Sequence, residues 1–253
     1  RLALVSMDVE APVLKGQVKA FLRPKPQRQA AFTDICRQVE SEEFSAQRAL
    51  IVGGSRGLGE VTAKLLAAGG AEVILTYYRG RQDAQRIVEE IVSQGGNADC
   101  LPLNVLEPLR GLPGRIANRS TPLYLYYFAT PYIFGAAKGK FSSQRFAAFS
   151  EYYVTGFLRT VQAVAQPATV LQKVFYPSSA AIDELPLDMG EYAAAKMAGE
   201  IVCDFLQKAH PGLAIHKPRL PRVATDQTAS LLPVSNQEPV LVLLGNLRYL
   251  RQM

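Results

Sequence analysis

The chain has 253 residues, of which 48% are hydrophobic and 20% charged, with a formal net charge of +6. That length buries a full core without disulfide or metal staples and fits one globular domain, since a single α/β domain runs to roughly 250 residues. Two histidines (His210, His216) and three well-separated cysteines (Cys36, Cys100, Cys203) argue against a zinc site and a disulfide scaffold and point to a reducing, cytoplasmic setting. No apolar run reaches the roughly 18 residues of a membrane span, and no signal-peptide pattern opens the chain. The positive charge fits nucleic acid, an anionic surface or a phosphorylated ligand.

The chain is predicted to open on a β-hairpin. Leu2 to Val9 is β-rich, Pro12 to Gly16 holds turn formers, and Val18 to Leu22 reads as the return strand. Pro24-Lys25-Pro26-Gln27 breaks regular structure as a linker. Thr33 to Val39 reads as a short helix capped by Thr33. Residues 1–48 are therefore expected to form an appendage, and residues 49–253 the main domain.

Ala49 to Val52 is a short apolar run that stops at glycines, as a buried parallel strand does. A helix over Leu58–Ala68, a strand over Glu72–Tyr77 and a helix over Asp83–Gln94 follow, the latter with Ile87, Val88 and Ile91 on one side. Cys100–Val105 reads as a third strand, while Glu107–Arg119 is broken by proline and glycine. Leu123–Phe128 is strand-like, Arg145–Gln166 a long helix, and Thr169–Tyr176 a strand. Glu191–Lys208 reads as a helix, Ala214–His216 as a short strand, and Val240–Leu250 as the last helix. Strands alternating with helices of ten or more residues predict an α/β fold, a doubly wound parallel sheet covered on both faces.

Gly53-Gly54-Ser55-Arg56-Gly57-Leu58-Gly59 lies between the first buried strand and the first helix. Glycine permits positive φ and lets backbone N–H groups approach a ligand, and the helix N-terminus behind them favours a phosphate. A plain tight turn would need about one glycine by the same reasoning. No Gly-Lys-Ser/Thr follows, which excludes a Walker A loop. An NAD site usually carries an acid at the end of the second strand. Here that end reads Tyr77-Tyr78-Arg79-Gly80-Arg81, and Arg56 sits inside the turn. Guanidinium groups suit a 2′-phosphate, so NADP(H) is favoured over NAD(H), against the plainer reading of arginines solvating a loop.

Tyr192 and Lys196 stand at i and i+4, so phenol and ammonium share one helix face. A fixed cation lowers a tyrosine pKa and makes the phenol a proton donor near neutral pH. In isolation such a pair is more often a surface pair. Upstream, Val174 to Ser179 ends a predicted strand in a serine pair, with Ser179 thirteen residues before Tyr192.

The G-x-x-x-G-x-G spacing of Gly53, Gly57 and Gly59, followed in order by Ser179, Tyr192 and Lys196, resembles the short-chain dehydrogenase/reductase family of the NADP-dependent ketoreductase type. The resemblance runs from about Ala49 to Thr228 and implies a Rossmann-type sheet. It implies that the Ser179 hydroxyl holds a substrate carbonyl, with Ser178 as the fallback, that Tyr192 donates the proton, and that Lys196 binds the nicotinamide ribose. It also implies cofactor contacts at Gly53, Ser55, Arg56, Gly57, Leu58, Gly59, Arg79, Asn104, Val105, Ala129 and Thr225. Family members usually carry Thr where this chain has Val52, and often Asn-Asn-Ala-Gly after the fourth strand, where this chain runs Tyr126-Tyr127-Phe128-Ala129-Thr130-Pro131. Tyr153 precedes Val154-Thr155-Gly156, in the place of the asparagine to which the family's water-linked proton relay is attributed; a tyrosine hydroxyl could partly replace it. Pro218-Arg219-Leu220-Pro221-Arg222 replaces the usual Pro-Gly, and a seventh strand usual in the family is not expected before Met253.

These readings converge on an NADP(H)-dependent oxidoreductase moving a hydride between nicotinamide and a carbonyl or hydroxyl substrate. The N-terminal hairpin resembles the tail of an acyl-thioester dehydratase hot-dog domain, which adds a 3-oxoacyl or polyketide-type thioester as substrate. Helices 145–166 and 191–208 match those of the family's oligomer interface, implying a homo-oligomer. No metal, nucleic-acid or membrane partner is expected, since no concentrated Lys/Arg run supports the second. The alternative is a cofactor-binding module with weak or no catalysis that acts through protein interactions.

Overall fold

The computed structural model describes residues 3–22, 29–117, 120–134, 136–166, 170–225 and 236–253. β1 (Ala3–Ala11) pairs antiparallel with β2 (Leu14–Leu22) across Pro12-Val13, so the return strand starts four residues before the expected Val18. The register sets Met7 opposite Val18 on one face, and Asp8 opposite Gln17 and Glu10 opposite Lys15 on the other. Hydrogen bonds of 3.0 and 2.9 Å link those two polar pairs.

α1 (Phe32–Ile35) begins after Ala31, not at Thr33. The Phe32 amide donates to the Glu90 carboxylate at 2.7 Å, which supplies the cap from another helix. Phe32, Ile35, Val39 and Phe44 are buried in the same cluster as the sheet, so residues 30–48 pack with the main domain although they were expected in the appendage. The buried Lys64 ammonium secures this segment, donating to the Ala30 carbonyl and pairing with Glu60 and Glu90.

Next come β3 (Arg48–Val52), α2 (Gly57–Ala68), β4 (Glu72–Tyr77), α3 (Arg81–Val92), β5 (Asn97–Pro102), α4 (Leu112–Ile116) and β6 (Leu123–Tyr127). α5 (Ser143–Ser150), α6 (Phe157–Val164), β7 (Leu171–Phe175), β8 (Ser178–Ser179) and α7 (Ala181–Glu184) follow. α8 (Gly190–Ala209), β9 (Ala214–His216), β10 (Arg219–Leu220) and α9 (Pro239–Gln252) complete the order. Six strands form a parallel sheet in the order β5-β4-β3-β6-β7-β9. Alternate residues of β3 enter two cores, Ala49 and Ile51 on the face covered by α2 and α9, Leu50 and Val52 on the face covered by α6 and α8. Both faces are therefore apolar, which is why the strand read as a continuous run. The order reverses between β3 and β6, and the crevice beyond their carboxyl ends is where open α/β sheets take ligands.

The third strand covers Asn97–Pro102 instead of 100–105, because pairing with Glu72–Tyr77 of β4 sets its register. The helix expected over 145–166 is one helical run with a π-type turn at Glu151–Gly156 between α5 and α6. Such a turn loosens carbonyls from the usual ladder, and tyrosines from the sheet engage them. Tyr127 donates to the Tyr152 carbonyl (2.7 Å) and Tyr176 to the Tyr153 carbonyl (3.0 Å). Gly199 makes room for the second contact, since a Cβ there would lie 1.8 Å from the Tyr176 hydroxyl oxygen. Past β7 and β9, Pro177 and Pro218 interrupt both neighbouring strands at one level, and β8 and β10 resume the parallel pairing beyond them.

This packing gives one substitution opposite signs at two helical glycines. Gly199→Ala is expected to cost about 1–3 kcal/mol by overpacking. Gly245→Ala, exposed on α9 with nothing within 4 Å of its Cβ position, is expected to stabilise by about 0.5–1 kcal/mol. Urea melts of the two variants check both signs.

Candidate active site

The glycine turn sits at the carboxyl end of β3. Gly53 and Gly57 have φ of 81° and 57°. A Cβ at Gly53 would lie 2.9 Å from the Ala129 amide nitrogen, and one at Gly59 would lie 2.3 Å from the Gly53 carbonyl oxygen. The three positions thus require glycine for different reasons, two of them involving close approach of backbone. Thr76 on β4 pins the turn, accepting from the Gly53 amide at its hydroxyl (3.2 Å) and from the Gly54 amide at its carbonyl (2.9 Å). Sequence reasoning missed Thr76; its one signal was a polar residue inside an apolar strand.

A cleft of about 670 Å³ runs from this turn across the switch point. Its walls include Gly53, Ser55, Arg56, Gly57, Leu58, Gly59, Arg79, Asn104, Val105, Ala129, Lys196 and Thr225, the residues for which the resemblance implied cofactor contacts. Arg81 is not in the wall and instead opens α3. Arg56 lies 3.8 Å from Asp83, and the Arg79 guanidinium lies 5.2 Å over the Tyr78 ring. The Asn104 amide is already engaged, donating to Glu107 at 2.7 Å and accepting from the Leu106 amide at 3.2 Å.

Ser179, Tyr192 and Lys196 line the inner part of the same cleft. β8 ends at Ser179, while Tyr192 and Lys196 stand one turn apart near the start of α8. The buried Tyr192 phenol and the Ser179 side chain face one another in this cleft, and the Ser179 hydroxyl accepts from the Ala181 amide at 3.2 Å. Burial raises that phenol above its ordinary value and the nearby Ser179 hydroxyl opposes the rise. The lowering expected from the neighbouring lysine does not prevail here, because the Lys196 ammonium donates to the Pro177 carbonyl (2.7 Å) and lies 6.0 Å from the Tyr192 ring centre. The geometry also separates the serine pair. Ser178 donates to Glu200, which in turn receives two Arg219 bonds of 2.9 and 2.8 Å, leaving Ser179 to face the tyrosine.

Lys196 is buried, and desolvation pushes its ammonium down to about 7, against opposing effects of Cys203 and Glu200. The faces of Tyr153 and Tyr176, with nitrogen-to-centroid distances of 4.1 and 5.0 Å, favour the charged form. The Tyr153 ring thus lies over the lysine. Its hydroxyl meets the Thr130 hydroxyl at 2.5 Å, a partner that sequence reasoning did not single out.

The depressed Lys196 value sets a pH dependence of stability. Between about 7 and the ordinary 10.5, the unfolded chain binds a proton at this lysine that the native state does not, so stability rises with pH. Below 7 both states are protonated and the burial cost is complete. Relative to Lys196→Met, the native protein is expected to gain up to about 1.4 kcal/mol per pH unit between pH 7 and 9. Urea melts at pH 7, 8 and 9 measure this difference.

A family model described as short chain dehydrogenase matches residues 47–217. The 3-oxoacyl-[acyl-carrier-protein] reductase of Synechocystis sp. is 43% identical over 62 residues, 24% of this chain and 25% of that protein. The chain's match thus spans about a quarter of this curated relative. Among solved structures, a short chain dehydrogenase from Burkholderia cenocepacia in complex with NADP superposes with a TM-score of 0.70 at 22% identity, covering 81% of this chain and 91% of that one. An alcohol dehydrogenase from Thermococcus sibiricus complexed with 5-hydroxy-NADP gives a TM-score of 0.69 at 21% identity, covering 82% and 91%. With that fold, the glycine turn and the Ser179, Tyr192 and Lys196 set in one cleft, and the family match over most of its length, the chain belongs to the short chain dehydrogenase family.

Proposed function

We propose that the protein is an NADP(H)-dependent reductase of carbonyl substrates, working in reverse as an alcohol dehydrogenase, with 3-oxoacyl or polyketide-type thioesters as the first substrate class. The observation that carries this reading is the convergence of Ser179, Tyr192 and Lys196 at the inner end of a cleft whose outer end is the glycine turn. The residues fit a phosphorylated dinucleotide. Gly53, Gly57 and Gly59 leave a backbone cradle that a Cβ would fill or strain, and the start of α2 faces it with N–H groups. When bound, the dinucleotide supplies the hydride chemistry from its nicotinamide. Arg56 and Arg79 in the cleft wall suit a 2′-phosphate.

Ser179 would hold the substrate oxygen beside the Tyr192 hydroxyl, which gives it a proton as the carbonyl is reduced. Tyr192 is left as phenolate at that moment, and the adjacent ammonium of Lys196 stabilises it. Gly53, Ser55, Leu58 and Gly59 would hold the pyrophosphate, with Ala129, Val105 and Thr225 packing against the rest. Asn104 would meet the adenine only through a rearranged amide, given its present bonds. The convergence of Ser179, Tyr192 and Lys196 favours catalysis over a binding module. The match to a 3-oxoacyl reductase supports the substrate class.

Self-association belongs to the same reading. Met197, Ile201 and Phe205 form an exposed stripe at i, i+4 and i+8 on α8, on one of the two helices expected to build an oligomer interface. The hairpin keeps Val5, Met7, Val9 and Val18 exposed, which supports treating it as a unit apart from the reductase domain. Among the described residues no helix is long and apolar enough to cross a membrane.

NADPH consumption should be screened over 3-oxoacyl thioesters, quinones and simple ketones. Activity on none, despite tight cofactor binding, would favour the binding-module reading. Tyr192→Phe is expected to lower kcat about 10²–10⁴-fold while nearly preserving NADPH binding; a fully active variant removes the tyrosine from the acid role. NADPH should bind more tightly than NADH by fluorescence titration, and Arg56→Ala with Arg79→Ala should erase the difference. Equal affinities in the unmodified protein contradict the 2′-phosphate assignment. Ile201→Glu with Phe205→Glu should turn an oligomer into a monomer by light scattering.

A further inference from the structure

The groups around Lys196 divide into those that other partners hold and those that are left for it. On α8, Glu200 receives Ser178 and Arg219, and Lys217 lies close enough to hold its charge further down. Cys203 is buried, which pushes its thiol up to about 12 and leaves it neutral. The Pro177 carbonyl, just past β7, takes one ammonium hydrogen. The remaining neighbours are aromatic: Tyr176 past β7, Tyr192 on α8, and Tyr153 on the π-type turn, nearest at 4.1 Å.

Tyr153 is also the most firmly held of the three. Thr130 donates to the Pro131 carbonyl (3.1 Å), so its oxygen accepts from the Tyr153 hydroxyl. The ring stacks on Phe149 at 5.9 Å and 9°, and meets Tyr192 edge to face at 5.6 Å and 83°. Its carbonyl receives the Tyr176 hydroxyl. A ring fixed at hydroxyl, face, edge and backbone is a rigid wall, not a filler.

We propose that Tyr153 is a positioning residue of the reductase site, its ring face holding the Lys196 ammonium and its edge-to-face contact holding Tyr192, with Thr130 as the anchor of the ring. The inference rests on the catalytic reading of Ser179, Tyr192 and Lys196. It goes beyond it by giving the residue at the family's asparagine position a different physical role, in which an aromatic face replaces an amide.

The test reads Lys196 directly in the protein without added dinucleotide. Lysines labelled with ¹³C at Cε are followed through a pH titration, the Lys196 signal being assigned by its loss in Lys196→Met. Tyr153→Leu is expected to move the Lys196 midpoint down by about one pH unit, the size of a desolvated cation–π contact. Tyr153→Phe, which keeps the ring, should restore the wild-type midpoint. Phenylalanines with one, two and three ring fluorines at position 153 keep the shape and weaken the π face, so the midpoint should fall stepwise with fluorine count even if the leucine variant folds poorly. The basic limb of the pH profile of kcat/KM should move with the midpoint across this series. A midpoint indifferent to fluorination, or equal in the leucine and phenylalanine variants, overturns the proposal. A fluorine-dependent midpoint in a protein that reduces no carbonyl would retain the Tyr153–Lys196 contact and defeat the catalytic reading instead.

Discussion

An ammonium closed inside the protein is the constraint around which the site is arranged. Burying a charge costs free energy unless carbonyls, anions or ring faces replace its water. For Lys196 the replacement is one proline carbonyl and a set of tyrosine faces. That choice reaches into the fold. Pro177 breaks the strand where its carbonyl meets the lysine, and β8 resumes beyond it to carry Ser179. Tyr176 stands beside the ammonium only because Gly199 has no side chain, and its hydroxyl then engages the π-type turn that presents Tyr153. The nearby carboxylate of Glu200 is bound by Arg219 and Ser178, which fixes β8 and β10 against α8.

The cofactor end of the cleft follows a different logic, one of backbone instead of side chains. Gly53 approaches Ala129 just past the neighbouring strand β6, Gly59 approaches Gly53, and Thr76 ties the turn to β4. The turn is thus held on both sides at the point where the strand order reverses. Part of the +6 charge collects at the outer rim as Arg56 and Arg79. Asp83 sits opposite Arg56 at 3.8 Å, a loose pair in which the arginine keeps room for an anion.

Much of this was legible in the sequence where one local pattern decided the outcome. Leu50 and Val52 face one core and Ala49 and Ile51 the other, so β3 read as an unbroken apolar run. The i, i+4 pair of Tyr192 and Lys196 lies on a real helix, and the serine before it lies at the end of a real strand. What stayed hidden needed partners distant in the chain. The interruption of the 145–166 helix is set with Tyr127 and Tyr176, which lie on other elements. The start of α1 depends on Glu90, fifty-eight residues away. Which serine of the pair faces Tyr192 depends on Glu200 and Arg219. Arg219 itself read only as a departure from the family pattern, yet it holds the strand that presents the serine. Thr130, likewise a departure, anchors Tyr153.

The central claim is that this cleft brings a nicotinamide and a carbonyl together under Tyr192. NADPH carrying deuterium at C4 tests it most directly, in a reaction with a 3-oxoacyl thioester or another ketone on which the protein consumes NADPH. The account predicts that deuterium appears on the carbinol carbon of the product, with the hydroxyl proton drawn from solvent. Alcohol carrying only solvent hydrogen at that carbon, or cofactor consumed with no alcohol formed, would contradict it.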